Sequence, residues 1–204
     1  MNQLKIICII SLLTCNLFAV SQEVVYQQIT DVGKNITSIK FNFKQNIVSG
    51  DENKISNGDI FYKALNNFRI DYKKPSNIEY ISNGSELWIV DKAKNQALKK
   101  NSKDFLGEQI INFFKFGDDL KQDFIVLDFW QEDKVYGFKF KDLHKENNVV
   151  TVFIDIKTLL PNRIIFDRRD LRFEIDIYKI GINALFLDSL FEFVPNKDMK
   201  IVEL

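Results

Sequence analysis

Beyond its first 21 residues the 204-residue chain has one histidine, His144, and no cysteine. A serine-histidine-carboxylate relay needs a histidine beside its nucleophile, thiol catalysis needs a cysteine, and a zinc site of histidines and cysteines needs several ligands together. His144 stands in a turn-like polar stretch with no second partner of these kinds, so the residue types argue against all three. Carboxylate chemistry is open on residue types alone, because Asp118-Asp119, Asp123, Asp128 and Glu132-Asp133 could supply a general acid and base. They fall where loops and solvent faces are expected, and solvation accounts for them better than catalysis. Arg168, Arg169 and Arg172 could hold an anion, yet Asp167 and Asp170 interleave with them, as at a solvated strand end. There is no glycine-rich phosphate loop. No catalytic residue, metal ligand or cofactor is therefore expected.

The charge balance narrows the partners. Twenty-eight basic residues against 28 acidic ones give zero formal charge, without the basic surplus a nucleic-acid binder uses to neutralise phosphates. Nineteen phenylalanines stand out: each is bulky, apolar and without a polar handle, so the surplus implies an aromatic-rich core or an apolar cavity.

The elements that must position these residues begin with an export signal over residues 1–21. Lys5 supplies the positive start, Ile6 to Thr14 an apolar run too short to span a bilayer, and Ala19-Val20-Ser21 the small residues of a cleavage site. Removing it takes Lys5 and both cysteines, Cys8 and Cys15, and leaves a net charge of −1 with no disulfide framework. Leu12-Leu13-Thr14-Cys15 is a rival motif, a lipobox in which Cys15 would be acylated, although Thr14 departs from the small residue wanted there. A free Gln22 or an acylated Cys15 at the mature N-terminus separates the two by mass. Residues 22–204 carry no repeat or Pro/Gly-rich linker and read as a single domain.

Within it, Val25, Ile29, Val32 and Ile36 recur at helical spacing behind Ser21, a suitable N-cap. A second amphipathic helix fits Asp104 to Phe116, with Leu106, Ile110, Ile111, Phe113 and Phe114 as its stripe and Gly117 as its left-handed end. Period-two alternation marks strands through Phe41, Phe43 and Ile47, through Phe68, Ile70 and Tyr72, through Tyr136, Phe138 and Phe140, through Val150 to Ile156, and through Phe173, Ile175 and Ile177. Short connections such as Lys145 to Asn148 make the sheet mostly antiparallel. The fold class expected is α+β: a strongly curved, incompletely closed antiparallel β-barrel capped by helices.

Two consecutive segments then resemble a known family. GDIFYKALNNFRIDYKKP from Gly58 to Pro75 and IEYISNGSELWIV from Ile78 to Val90 are similar to the LolA/LolB-like outer-membrane lipoprotein carriers: a glycine opening a strand, Phe68-Arg69, a proline, an Asn83-Gly84 turn and a strand carrying Trp88. DIKTLLPNRIIFDRRD from Asp155 and LFEFVPNKDMKIV from Leu190 extend the likeness, and Pro75, Pro161 and Pro195 all fall at family proline positions. One departure stands out. Family members have an Arg-Pro pair before the Phe-Arg, whose arginine is held to bond the lid helices, and here Ala64-Leu65 replaces it.

The resemblance implies a half-barrel covered by amphipathic lid helices around an apolar cavity, and a periplasmic, non-enzymatic, monomeric chaperone. It would take acylated lipoproteins from an inner-membrane ABC transporter and hand them to an outer-membrane acceptor, LolB or a substitute. A LolB-like acceptor anchored through Cys15 is the alternative, with a secreted carboxylate-dependent hydrolase more distant. The lipid-binding cavity is expected to be lined by Val25 and Ile29 of the first helix, Ile60, Tyr62, Phe68, Ile70 and Tyr72 of the strands, and Ile110, Phe113 and Phe114 of the second helix. Trp88 is expected to be structural.

Overall fold

The computed structural model describes residues 20–203 except 65, 74 and 102–105. Most of the expected signal, Cys15, Leu65 and the opening residues Asp104 and Phe105 of the second expected helix lie outside the described residues.

Ser21 caps the first helix as its position implies. Its hydroxyl accepts from the Val24 N–H at 3.3 Å, and α1 runs over Gln22–Lys34. Val25 and Ile29 are fully buried, Tyr26, Thr30 and Gly33 complete the inward stripe, and Ile36 is buried just past the helix end.

The described strands form one sheet. They are β1 (Ser38–Ser49), β2 (Glu52–Lys63), β3 (Asn67–Tyr72), β4 (Ile78–Asn83), β5 (Glu86–Asp91), β6 (Gln96–Asn101), β7 (Phe124–Glu132), β8 (Val135–Asp142), β9 (Asn148–Asp155), β10 (Pro161–Arg168), β11 (Leu171–Ile182) and β12 (Lys200–Glu203). Their spatial order is β12-β6-β5-β4-β3-β2-β1-β11-β10-β9-β8-β7. Two antiparallel meanders are therefore joined where β1 pairs with β11, Phe43 opposite Ile177 and Ile47 opposite Phe173. Only β12 runs parallel to its neighbour, β6. β7 and β12 are the two edges and do not pair with each other, so the barrel stays open.

Because the strand period is two, the register puts one apolar set on the concave face: Phe41 and Phe43 of β1, Ile60 and Tyr62 of β2, Phe68 and Ile70 of β3, Phe138 and Phe140 of β8, Val150 and Val152 of β9, Ile175 and Ile177 of β11. The convex face carries apolar residues beneath the C-terminal segment. There Ile81, Trp88, Val90 and Ala97 form a second small cluster with Phe193 and Met199, so Trp88 is structural, its ring 5.2 Å from that of Phe193. Arg69 anchors the same segment. Its Nε donates to Asp71 Oδ1 at 2.7 Å, Nη2 pairs with Glu79 Oε2 at 3.2 Å, and Nη1 donates to the Leu190 carbonyl at 3.4 Å.

The second helix, α2, spans Leu106–Lys115 and lies over the concave face with α1. Its end differs from the sequence expectation. Phe116, not Gly117, takes the left-handed conformation, at φ 47°, while Gly117 is extended and starts a short helix, α3 (Asp118–Asp123), that periodicity does not signal. Burial explains the choice: the Phe116 ring is fully enclosed, 5.1 Å from Tyr26 and 5.4 Å from Phe138, and its carbonyl accepts from Thr30 Oγ1 at 2.7 Å. Those contacts offset the strain of a non-glycine residue at positive φ.

The two helices touch where α1 has no side chain. A Cβ on Gly33 would stand 2.1 Å from the Lys115 carbonyl oxygen. Gly33→Ala must push α2 off α1, and an overpacking loss of about 1–3 kcal/mol is expected in denaturant unfolding. An unchanged midpoint would mean that the helices are not held in this contact.

Candidate functional site

The aromatic surplus is not spread evenly under the helices. At the C-terminal end of α2, Phe113, Phe114 and Phe116 are fully buried. Phe114 stacks on Phe41 at 5.2 Å, and Phe113 meets Phe124, Phe140 and Phe166 at 5.3, 5.5 and 6.1 Å. This half of the barrel is filled with rings.

The other half is not. Beneath Ile110 a cavity of about 270 Å³ opens between α2 and the concave faces of β1 to β4 and β11. Phe43, Gln45 and Ile47 line it from β1, Ile60 from β2, Ile70 and Tyr72 from β3, Tyr80 from β4, and Phe173 and Ile175 from β11. Ile47, Tyr72, Tyr80 and Phe173 are half-buried and mark its wetter side, whereas Phe43, Ile60, Ile70, Ile110 and Ile175 are buried. Gly58 makes room for this wall. Opposite Phe43 in the β1–β2 register, it would with a Cβ meet the Phe43 ring at 2.8 Å and the Asp71 carbonyl at 2.3 Å. Phe43 instead lies edge-on to Tyr72 at 5.3 Å, and Tyr72 to Tyr80 at 5.8 Å.

Of the residues expected at a lipid site, Ile60, Ile70, Tyr72 and Ile110 come together around this cavity. Val25, Ile29, Tyr62, Phe68, Phe113 and Phe114 belong to the packed core that continues from it and are not among its lining residues. Phe43, Gln45, Ile47, Tyr80, Phe173 and Ile175 complete the lining and are not among the residues that the sequence singles out for the cavity. Face parity with Phe43 and Ile47 could have found Gln45; Phe173 and Ile175 needed the long-range β1–β11 pairing.

Side chains of α2 tie the helix to the sheet. Lys115 Nζ donates to Tyr62 Oη at 2.8 Å while lying 4.8 Å from the centre of its ring, and Arg168 Nη2 donates to Gln109 Oε1 at 3.2 Å. Ala64 is exposed at the β2–β3 connection, where its N–H donates to the Thr37 carbonyl. The other chemistry-bearing residues stand apart: exposed His144 meets Asp123 at 3.1 Å, and Arg172 is paired with Asp167 and Glu174. Among the described residues no three of His, Cys, Asp and Glu group as metal ligands would.

The cavity is dry enough to shift its phenols. Burial pushes Tyr72 up from 10.0 to about 12, with Tyr80 adding to the effect, and burial raises Tyr80 as well. A raised acid pKa means that the native state holds a proton which the unfolded chain releases. This contribution is therefore intact below pH 10 and is lost as pH climbs from about 10 to about 12. Thermal melts over that window should show a decline that Tyr72→Phe reduces, alongside a late phenolate absorbance step that the variant lacks. A Tyr72 absorbance step at an ordinary tyrosine pH would place the phenol in water.

Comparison with known proteins gives this geometry a family. Residues 34–194 match the family described as outer membrane lipoprotein carrier protein LolA. An outer-membrane lipoprotein carrier protein of Francisella tularensis subsp. tularensis is 35% identical over 102 residues, covering 48% of each chain. One from Francisella tularensis subsp. novicida is 34% identical over 100 residues, covering 46% of this chain and 49% of that one. The chain thus aligns with about half the length of the curated relatives it matches. The fold also superposes on an uncharacterized conserved protein of Thermus thermophilus, with a TM-score of 0.56 at 13% identity over 87% of this chain and 98% of that one. With the family match running from the end of α1 through β1 to β11, α2 and the wall of the cavity, the chain belongs to the LolA family of outer-membrane lipoprotein carriers.

Proposed function

We propose that this protein is a periplasmic carrier, not an enzyme, and that it holds the acyl chains of lipoproteins in the cavity under α2. The observation that carries the reading is an apolar cavity roofed by an amphipathic helix and built on the sheet of a lipoprotein-carrier family member. The chemistry of the wall fits the cargo. Each acyl methylene removed from water is worth about 0.8 kcal/mol, and a lining of Phe and Ile provides area without polar groups that would demand partners.

The cavity also sets a condition. At about 270 Å³ it lies at the low end of small-molecule sites, which run from roughly 300 to 1,000 Å³, so a long chain requires α2 to move. Among the described residues the ties that would give way include the Lys115–Tyr62 and Gln109–Arg168 hydrogen bonds, the contact of Gly33 with Lys115 and the ring contacts of Phe113 and Phe114. Work done against them lowers net affinity, which suits a carrier without an energy source of its own. On this reading the monomer loads from an inner-membrane ABC transporter and unloads to an acceptor at the outer membrane that binds the cargo more tightly.

Titration with a fluorescent acylated lipopeptide tests this. Saturable binding is expected, and Ile47→Asp, which places a carboxylate on the half-buried wall, should weaken it at least tenfold, about 1.4 kcal/mol. Leu187→Asp, at a residue 80% exposed on the C-terminal segment, should leave affinity unchanged. No saturable binding by a folded sample, or equal losses in both variants, would contradict the proposal.

A further inference from the structure

One polar side chain in the cavity wall is only half used by the protein's own hydrogen bonds. Gln45 is only 4% exposed, on the concave face of β1 between Phe43 and Ile47, opposite Ser56 of β2 and Ile175 of β11. Its Oε1 is occupied: it accepts from Tyr72 Oη at 2.9 Å and from Ser56 Oγ at 3.5 Å. The two N–H donors on Nε2 have no protein partner among the described residues, and Gln45 faces the cavity. Oε1 is held by the two hydroxyls, and the amide NH2 that comes with it is left free to donate to a ligand in the cavity. The wall thus presents an amide NH2 that nothing among the described residues receives.

The surroundings say which acceptor fits. Among the described residues no Lys or Arg lines the cavity, so a fatty-acid carboxylate would meet no counter-charge there. An amide-linked chain would bring an N–H of its own, and the nearest strong acceptor, Gln45 Oε1, already serves two hydroxyls. An ester carbonyl accepts and donates nothing.

Resting on the carrier reading above, we propose that Gln45 receives the ester carbonyl of an O-acyl chain, so that the cavity selects esterified acyl chains over free fatty acids and over alkyl chains without a carbonyl. The alkyl part then lies against Ile60, Ile70 and Ile110, and the alcohol side of the ester faces the half-buried Ile47 and Phe173.

The test compares a monoacylglycerol with the alkylglycerol ether of equal chain length, which differs in lacking the carbonyl, by displacement of a fluorescent acyl probe from the whole protein. The wild type should bind the ester about tenfold more tightly than the ether. Gln45→Met should abolish that difference by weakening the ester alone, leaving ether affinity unchanged. Equal affinities in the wild type would overturn the role of Gln45 while leaving the acyl cavity standing, and so would a Gln45→Met variant that weakens both ligands by one factor. If that variant does not fold, the wild-type comparison decides by itself. Binding of neither ligand would remove the carrier reading and this inference with it.

Discussion

An open sheet with an apolar concave face cannot stand alone in water, and its cover here is the insertion of α2 rings into that face. Phe113, Phe114 and Phe116 are fully buried among Phe41, Phe124, Phe138, Phe140 and Phe166. Each such side chain is worth about 1.5–3 kcal/mol of burial, enough to hold a short helix in place with few polar ties. Other features follow from that insertion. Phe116 adopts a left-handed backbone to keep its ring inside, Thr30 of α1 bonds the carbonyl this exposes, and Gly33 lets the two helices meet.

The same insertion leaves the other end of α2 underfilled. Under Ile110 the wall retreats into the cavity between β1, β2, β3, β4 and β11, and among the described residues no ring from the helix lines it. For the carrier proposed above, a core packed to uniform density would have no room for cargo, and an empty barrel would not fold. Dividing the concave face into a ring-packed half and a hollow half resolves the conflict. Meanwhile the C-terminal segment, fastened by Arg69 and by β12 on β6, covers apolar residues of the outer face and leaves the inner face to α2.

Much of this was legible in the sequence, for a physical reason. A sheet buried on one face writes its register as period-two alternation, so the strands through Phe41, Phe68, Phe138, Val150 and Phe173 could be read directly, and Ser21 announced α1. The half-barrel was legible for the same reason, since a one-sided sheet and short connections leave few other folds, whereas the family was legible in the likeness of the Gly58–Pro75 and Ile78–Val90 segments. The cavity was less so. Whether Phe113 packs against rings or faces a void depends on where Phe124, Phe140 and Phe166 come to lie, which is long-range information. Gln45 was hidden because Lys44-Gln45-Asn46 reads as a polar interruption, although its parity with Phe43 and Ile47 puts it inside. The parallel β12, the switch from Gly117 to Phe116 and the short α3 depend on tertiary contacts that override local preference.

The central claim is that an acyl chain occupies the hollow half of the concave face. Photo-crosslinking with a lipopeptide that carries a diazirine in its acyl chain, mapped by mass spectrometry, addresses it most directly. The account predicts adducts on Phe43, Ile60, Ile70, Tyr80 and Ile110. Adducts confined to the exposed apolar residues of the C-terminal segment, Leu185, Leu187 and Val194, would place the lipid on the outside of the sheet and contradict it.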